Sequence, residues 1–128
     1  MNSVVVDSSV ILAVIHEERG SENVPPELLA SATVSTVNLT EVQSKLVSWG
    51  WHPDEAWEDA IGSIRIVMPF TAQHAKTAGN LIAKTRSLGL SLGDCACLSL
   101  GLALKAPVYT ADRSWKNLKL GVRIHVIR

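Results

Sequence analysis

The sequence predicts an α/β protein: a three-layer α/β/α sandwich around a central, mainly parallel sheet of four to five strands. Three observations predict it. Short β-branched runs alternate with longer stretches of helical periodicity along the chain. The strand candidates are continuously apolar, as in strands covered on both faces. At 128 residues the chain is long enough for one sizeable core, so residues 1–128 are expected to form a single domain.

The elements follow in order. Val4-Val5-Val6 reads as a buried strand that ends at Asp7. Asp7-Ser8-Ser9 then offers capping residues for an apolar helix from Val10 to Glu17, which Gly20 and Ser21 break. Pro25-Pro26 opens a short helix through Leu29, and Ala32 to Ser35 forms a second strand. Thr36 or Asn38 caps the next helix, which buries Val37, Val42, Leu46 and Val47 and ends at Gly50. Pro53-Asp54-Glu55 places acids in the first turn of another helix, where the macrodipole favours them. Ile64 to Met68 is the third strand, and a long helix runs from Thr71 to Ser87. After a loop at Gly89 to Gly93, Asp94 opens the most apolar helix, Cys95 to Leu104. Pro107 to Thr110 is a strand with Asp112 just past its end, and Val122 to Ile127 is the last.

Composition excludes several classes. An apolar fraction of 47% is that of a globular protein and not of a disordered chain. No apolar run approaches the roughly 20 residues that span a bilayer. The first residues carry no basic leader and interrupt their apolar stretch with an acid, so a cytoplasmic protein without a membrane partner is expected. Cys95 and Cys97 are too close in sequence to bridge readily and read as small core residues.

A net charge of zero conceals an asymmetry. Residues 1–60 hold ten acids and two bases, whereas residues 61–128 hold two acids and ten bases. A basic half is the footprint of a polyanion partner, although a segregated polar surface gives the same pattern. The two acids of the basic half are Asp94 and Asp112, where general solubility explains a carboxylate least.

In parallel sheets, ligands bind beyond the carboxyl ends of the strands. Asp7 and Asp112 follow strands, Asp94 stands at a helix start, and Glu41 lies one to two turns into the helix after the second strand. Four distant segments can thus project carboxylates into one crevice. Asp7, Asp94 and Asp112 each also fit helix caps, and Glu41 also fits a solvated helix face. Neither account explains why acids follow two apolar strands and open the most apolar helix. Clustered carboxylates raise one another's pKa unless a cation neutralises them. All-oxygen donors suit Mg²⁺ or Mn²⁺, and His16, His52, His74 and His125 show no pairing that suggests zinc. Such sites serve phosphoryl chemistry, and no Gly-rich nucleotide loop is present.

The segments VVVDSSVILAVIHEE, STVNLTEV, LSLGDCACLSLGLAL and VYTADRSW resemble, in order and spacing, those of the PIN-domain family, and more closely its VapC-type toxins of toxin–antitoxin systems. The resemblance covers nearly the whole chain. It implies a PIN-like fold and Mg²⁺- or Mn²⁺-dependent endonucleolytic cleavage of RNA, with catalytic metal ligation by Asp7, Glu41, Asp94 and Asp112. It also implies supporting hydrogen bonds from Ser9 and Thr110, a homodimer, and a small antitoxin that silences the site. Arg86, Arg113, Lys116 and Lys119 are candidates for steering RNA phosphates. Trp115 could stack a base but reads rather as core or dimer packing, and Trp49, Trp51 and Trp57 read as core or an antitoxin-facing patch rather than a nucleic-acid platform.

Two other readings compete. A phosphoacceptor receiver domain needs adjacent acids after the first strand and an acceptor Asp after a central one; here the third strand ends in Met68-Pro69-Phe70. A non-catalytic module could use the same fold to grip RNA or protein, against which the intact acidic set argues.

Overall fold

Alternating strands and helices build the expected layers. In the computed structural model, which describes residues 3–128, the elements are β1 (Val4–Val6), α1 (Ser8–Ile15), α2 (Pro26–Leu29), β2 (Ala32–Ser35), α3 (Thr36–Ser48), α4 (Pro53–Gly62), β3 (Ile66–Met68), α5 (Ala72–Thr85), α6 (Leu92–Leu104), β4 (Val108–Thr110) and β5 (Ile124–Val126). The five strands pair in the order β3-β2-β1-β4-β5, and every pairing is parallel.

The period of two sorts each strand between the two faces. In β1, Val6 packs with α1, α3 and α4 residues such as Val10, Leu39, Val42 and Ala60, while Val5 packs with Leu81 of α5 and Leu98 of α6. Val108 and Tyr109 divide β4 in the same way. These two apolar clusters are the outer joints of an α/β/α sandwich. The apolar character of α6 follows from its position, since it packs on α5, α3 and three strands at once. Gly101 lets it lie close to β4, because a Cβ there would run into Val108. Cys95 and Cys97 are free and buried on this helix.

Several boundaries differ from expectation for local reasons. α1 stops at Ile15 because Glu17 adopts a left-handed φ of 51°. α3 is capped by neither Thr36 nor Asn38; Ser35, the last residue of β2, accepts from the Val37 amide at 3.2 Å. α5 ends at Thr85, and Arg86–Leu88 tightens into a 3-10 turn before Gly89. Ile64 and Val122 pack beside the core instead of extending β3 and β5. Trp115 is fully buried and Trp51 packs against the core, but Trp49 and Trp57 are 43% and 45% exposed. Among the described residues, no helix is long and apolar enough to cross a membrane.

Strand order positions the site. From β1 the chain moves outward through β2 and β3, then returns to the other side of β1 to add β4 and β5. The β1–β4 boundary is therefore a topological switch point, where a crevice opens at the carboxyl ends.

Candidate active site

Asp7 leaves β1 at this switch point. It occupies the cap position of α1 but makes no side-chain cap bond. Its Oδ2 accepts instead from the Ser9 hydroxyl at 2.7 Å and the Thr110 hydroxyl at 3.0 Å. Those hydroxyls accept in turn from the amides of Ala111 and Asp112, at 2.9 and 3.1 Å, so the two strand exits are laced together. Asp7 is only 3% exposed. Its pKa is raised from 3.8 to about 6, chiefly by burial, with the charges of Asp94 and Glu41 adding to the rise and the Ser9 and Thr110 hydroxyls opposing it.

Glu41 reaches the same place from α3. Asn38, three residues earlier and so on the same helix face, donates from Nδ2 to Glu41 Oε1 at 2.9 Å and to the Gly93 carbonyl at 2.9 Å. This fully buried amide ties α3 to the start of α6 and sets the Glu41 carboxylate against it. Gly93 is required for that approach, because a Cβ there would collide with the carboxylate.

Asp94 lies in the first turn of α6 and does not open it. Ser91 is the cap, and the two form a reciprocal box: the Asp94 amide donates to Ser91 Oγ at 3.1 Å, and the Ser91 amide donates to Asp94 Oδ2 at 2.9 Å. Asp112 caps the 3-10 helix Arg113–Asn117, its Oδ1 accepting from the Ser114 amide at 2.9 Å and hydroxyl at 2.7 Å.

The four acids share a pattern. Each has one oxygen held by a donor of the chain, while the other has no donor closer than 3.5 Å among the described residues. Asp7, Glu41 and Asp94 form the inner group, coupled through their charges. They also surround Cys97, whose thiol is pushed well up by burial and then by these three charges. Asp112 stands on the solvent rim, joined to Asp7 through Thr110. The ion pair found among the described residues is Arg128–Glu18 at 3.2 Å, and none of these four acids makes one there.

This donor set fits a hard divalent cation. It is all oxygen, three of its acids have an oxygen without a donor among the described residues, and its innermost member is buried with no ion pair among them. Among the described residues no three His, Cys, Asp or Glu side chains are gathered closely enough to hold a metal ion as they stand.

The remaining candidates lie further out. Arg86 sits exposed on the turn after α5. Arg113 and Lys116, on the 3-10 helix after Asp112, line a cavity of about 470 Å³ with His125 and Arg128, and Lys119 follows that helix. Asn38 and Gly93 were not among the expected site residues. Their only signal in the sequence is the three-residue spacing of Asn38 and Glu41, which is common on helices.

A parallel α/β sheet with acids gathered at its switch point defines a class of carboxylate-site proteins, and comparison narrows it. The PIN domain family model matches residues 4–120, and the chain belongs to that family. Its fold is similar to that of a DNA-bound VapBC complex from Salmonella typhimurium (TM-score 0.74, 17% identity, 100% of each chain covered). It is also similar to a Mycobacterium tuberculosis VapC toxin described as cleaving the sarcin–ricin loop (TM-score 0.73, 17% identity, 94% of this chain and 99% of that one). A toxin–antitoxin complex from Klebsiella pneumoniae is comparable (TM-score 0.73, 14% identity, 94% and 95%). At these identities the likeness is one of fold. None of the curated protein sequences matches the chain significantly.

Proposed function

We propose that this chain is a VapC-type endoribonuclease toxin that hydrolyses RNA with Mg²⁺ or Mn²⁺. One observation carries the reading: four acids from four segments meet near the switch point of the sheet, each with one oxygen held by a close donor and the other free or, in Asp7, met only by the Ser8 hydroxyl at 3.5 Å. The likeness to the VapBC complexes and to the sarcin–ricin-loop-cleaving toxin supports the choice of RNA and of a small antitoxin partner. A homodimer and a cytoplasmic location belong to the same proposal.

In this reading Asp7, Glu41, Asp94 and Asp112 would hold the cation. When bound, it supplies Lewis-acid activation of water and neutralises charge at the phosphate. The protein supplies orientation. Ser9 and Thr110 fix Asp7, Asn38 fixes Glu41, Ser91 fixes Asp94 and Ser114 fixes Asp112. Arg86, Arg113, Lys116 and Lys119 draw the RNA backbone to the crevice and release its counterions. Water adds to phosphorus in line, the bond to the 3′-oxygen breaks, and the proton ends on that oxygen.

The cap bonds of Asp94 and Asp112 favour a second reading, a PIN-fold module that grips RNA or protein without cutting it. They account for those two acids but not for Asp7 or Glu41. Purified protein incubated with RNA, with and without Mg²⁺ or Mn²⁺, decides between the two. Cleavage is expected with metal alone, and Asp94→Asn is expected to lower it more than about a hundredfold, since even groups that merely support metal ligands are worth 10–100-fold. Wild-type protein that cuts no RNA in any metal, with Asp94→Asn equally without effect on growth when expressed, overturns the nuclease.

A further inference from the structure

Beside the acids lies a second cavity of about 360 Å³. It is continuous with the site, because Ser9 and Asp112 form part of its wall and the Ser9 hydroxyl is the one that holds Asp7. Leu12 and Ala111 give it apolar lining, and Arg128, held by Glu18 at 3.2 Å, also lines it. The end of α3 lines it through Lys45 and Trp49.

Glu41, Lys45 and Trp49 follow one another at intervals of four, so they lie one helical turn apart along neighbouring positions of one face. From the candidate ligand Glu41 to the indole is about 12 Å along the axis, at 1.5 Å per residue. The indole is 43% exposed yet held in place, since His16 packs edge-on against it with ring centroids 4.1 Å apart at 67°. Lys45 Nζ lies over one face of the ring, 5.8 Å from its centroid, and has no ion pair among the described residues. It is also one of the two bases within residues 1–60, the acidic half of the chain, and it lies on the wall that faces the site. An exposed indole with an ammonium over one face leaves its remaining exposed surface for a flat ring and the ammonium for an anion joined to that ring. Single-stranded nucleic acid supplies both groups, and base–aromatic stacking is the sequence-tolerant way of gripping it.

The geometry points to a nucleotide subsite: an unpaired base of the RNA, near the scissile phosphate, stacks on Trp49 while Lys45 meets an adjoining phosphate. The inference rests on the ribonuclease reading and adds which part of the substrate is gripped, a single-stranded nucleotide and not a duplex groove. An aromatic segment of a protein partner is the competing occupant.

The test uses short single-stranded RNAs that carry one abasic nucleotide at successive positions around the mapped cleavage point. With intact RNA, Trp49→Ala is expected to raise KM roughly ten- to a hundredfold with kcat little changed, and Trp49→Phe to restore most of the loss. At one abasic position the wild type loses as much, and Trp49→Ala loses nothing further. Binding is followed in parallel by fluorescence anisotropy on Asp94→Asn, with and without Trp49→Ala. Absence of cleavage by the wild type then overturns the ribonuclease reading, while base-dependent binding through Trp49 still decides the subsite. The subsite is overturned if Trp49→Ala treats intact RNA as the wild type does, or if its loss is the same on every abasic RNA, as damage to the fold produces. It is equally overturned if the variant cuts and binds RNA normally and loses affinity only for an aromatic peptide.

Discussion

The exits of β1 and β4 are neighbours, run in the same direction, and each places an acid at the cap position of a helical segment. They use that acid in opposite ways. Asp112, two residues beyond β4 and in solvent, caps the following turn through Ser114. Asp7, immediately beyond the central strand, forgoes the cap, accepts two hydroxyls instead, and is almost sealed from water. Depth decides between them. On the rim a carboxylate is solvated in either role and the cap is a small gain. Inside, ionising it is expensive until something positive arrives, so the buried acid is the one poised for a ligand.

The largest expected effect comes from changing the buried partner. In the folded, metal-free protein Asp7 keeps its proton to about pH 6, whereas the unfolded chain releases it near 3.8. Between these values the folded state binds more protons, so stability is full below the lower value and falls as pH rises through the upper one. The two-unit difference corresponds to about 3 kcal/mol lost above pH 6. Asp7→Asn, which still accepts both hydroxyls, is expected to recover about that much at pH 7.5 and little at pH 4 in urea melts of metal-free protein. An equal change at both pH values breaks the comparison.

Thr110→Val acts on the lacing. It removes a donor to Asp7 and the acceptor of the Asp112 amide at nearly constant volume. RNA cleavage is expected to fall about 10–100-fold, the range for groups that orient metal ligands. Paired with Ser9→Ala it should be non-additive, since both hydroxyls act on the same oxygen. Independent effects in a double-mutant cycle would show that the two exits are not one unit.

The smallest effect belongs to the rim. Asp112→Ala is expected to cost about 1 kcal/mol through the lost cap, whereas Asp112→Asn, an equally good cap, costs almost nothing. On the proposed reading both lower RNA cleavage. Thermal melts and cleavage rates measured on the same two variants separate the cap from the site. If the Asn variant keeps wild-type activity, Asp112 is a cap and no more.

Much of this was legible along the chain. The alternation of apolar runs with helical stretches is a local property, so the class of fold and the rough place of every strand could be read from neighbouring residues. Element ends were less legible. A β2 residue turned out to cap α3, and a left-handed backbone at Glu17 shortened α1; neighbours more than a few residues apart decide such details. The sequence reads Asp94 as the helix start although Ser91 is the cap, because two capping candidates three residues apart look alike until their hydrogen bonds are known.

For the acids themselves, the sequence by itself determined which four residues were candidates, since their oddity is one of context: carboxylates after apolar strands, and two in a basic half. It did not determine that Asp7 is buried and Asp112 solvated, because both follow strands and both precede a turn. That was settled by strand order, which makes β1 central and sets β4 beside it, so that hydroxyls 101 residues apart in the chain, on Ser9 and Thr110, close over one carboxylate oxygen. The same assembly presses Gly93 against Glu41 through Asn38 and leaves Lys45 and Trp49 on the wall of the adjoining cavity. Burial and long-range proximity are properties of the packed chain, and no local pattern encodes them.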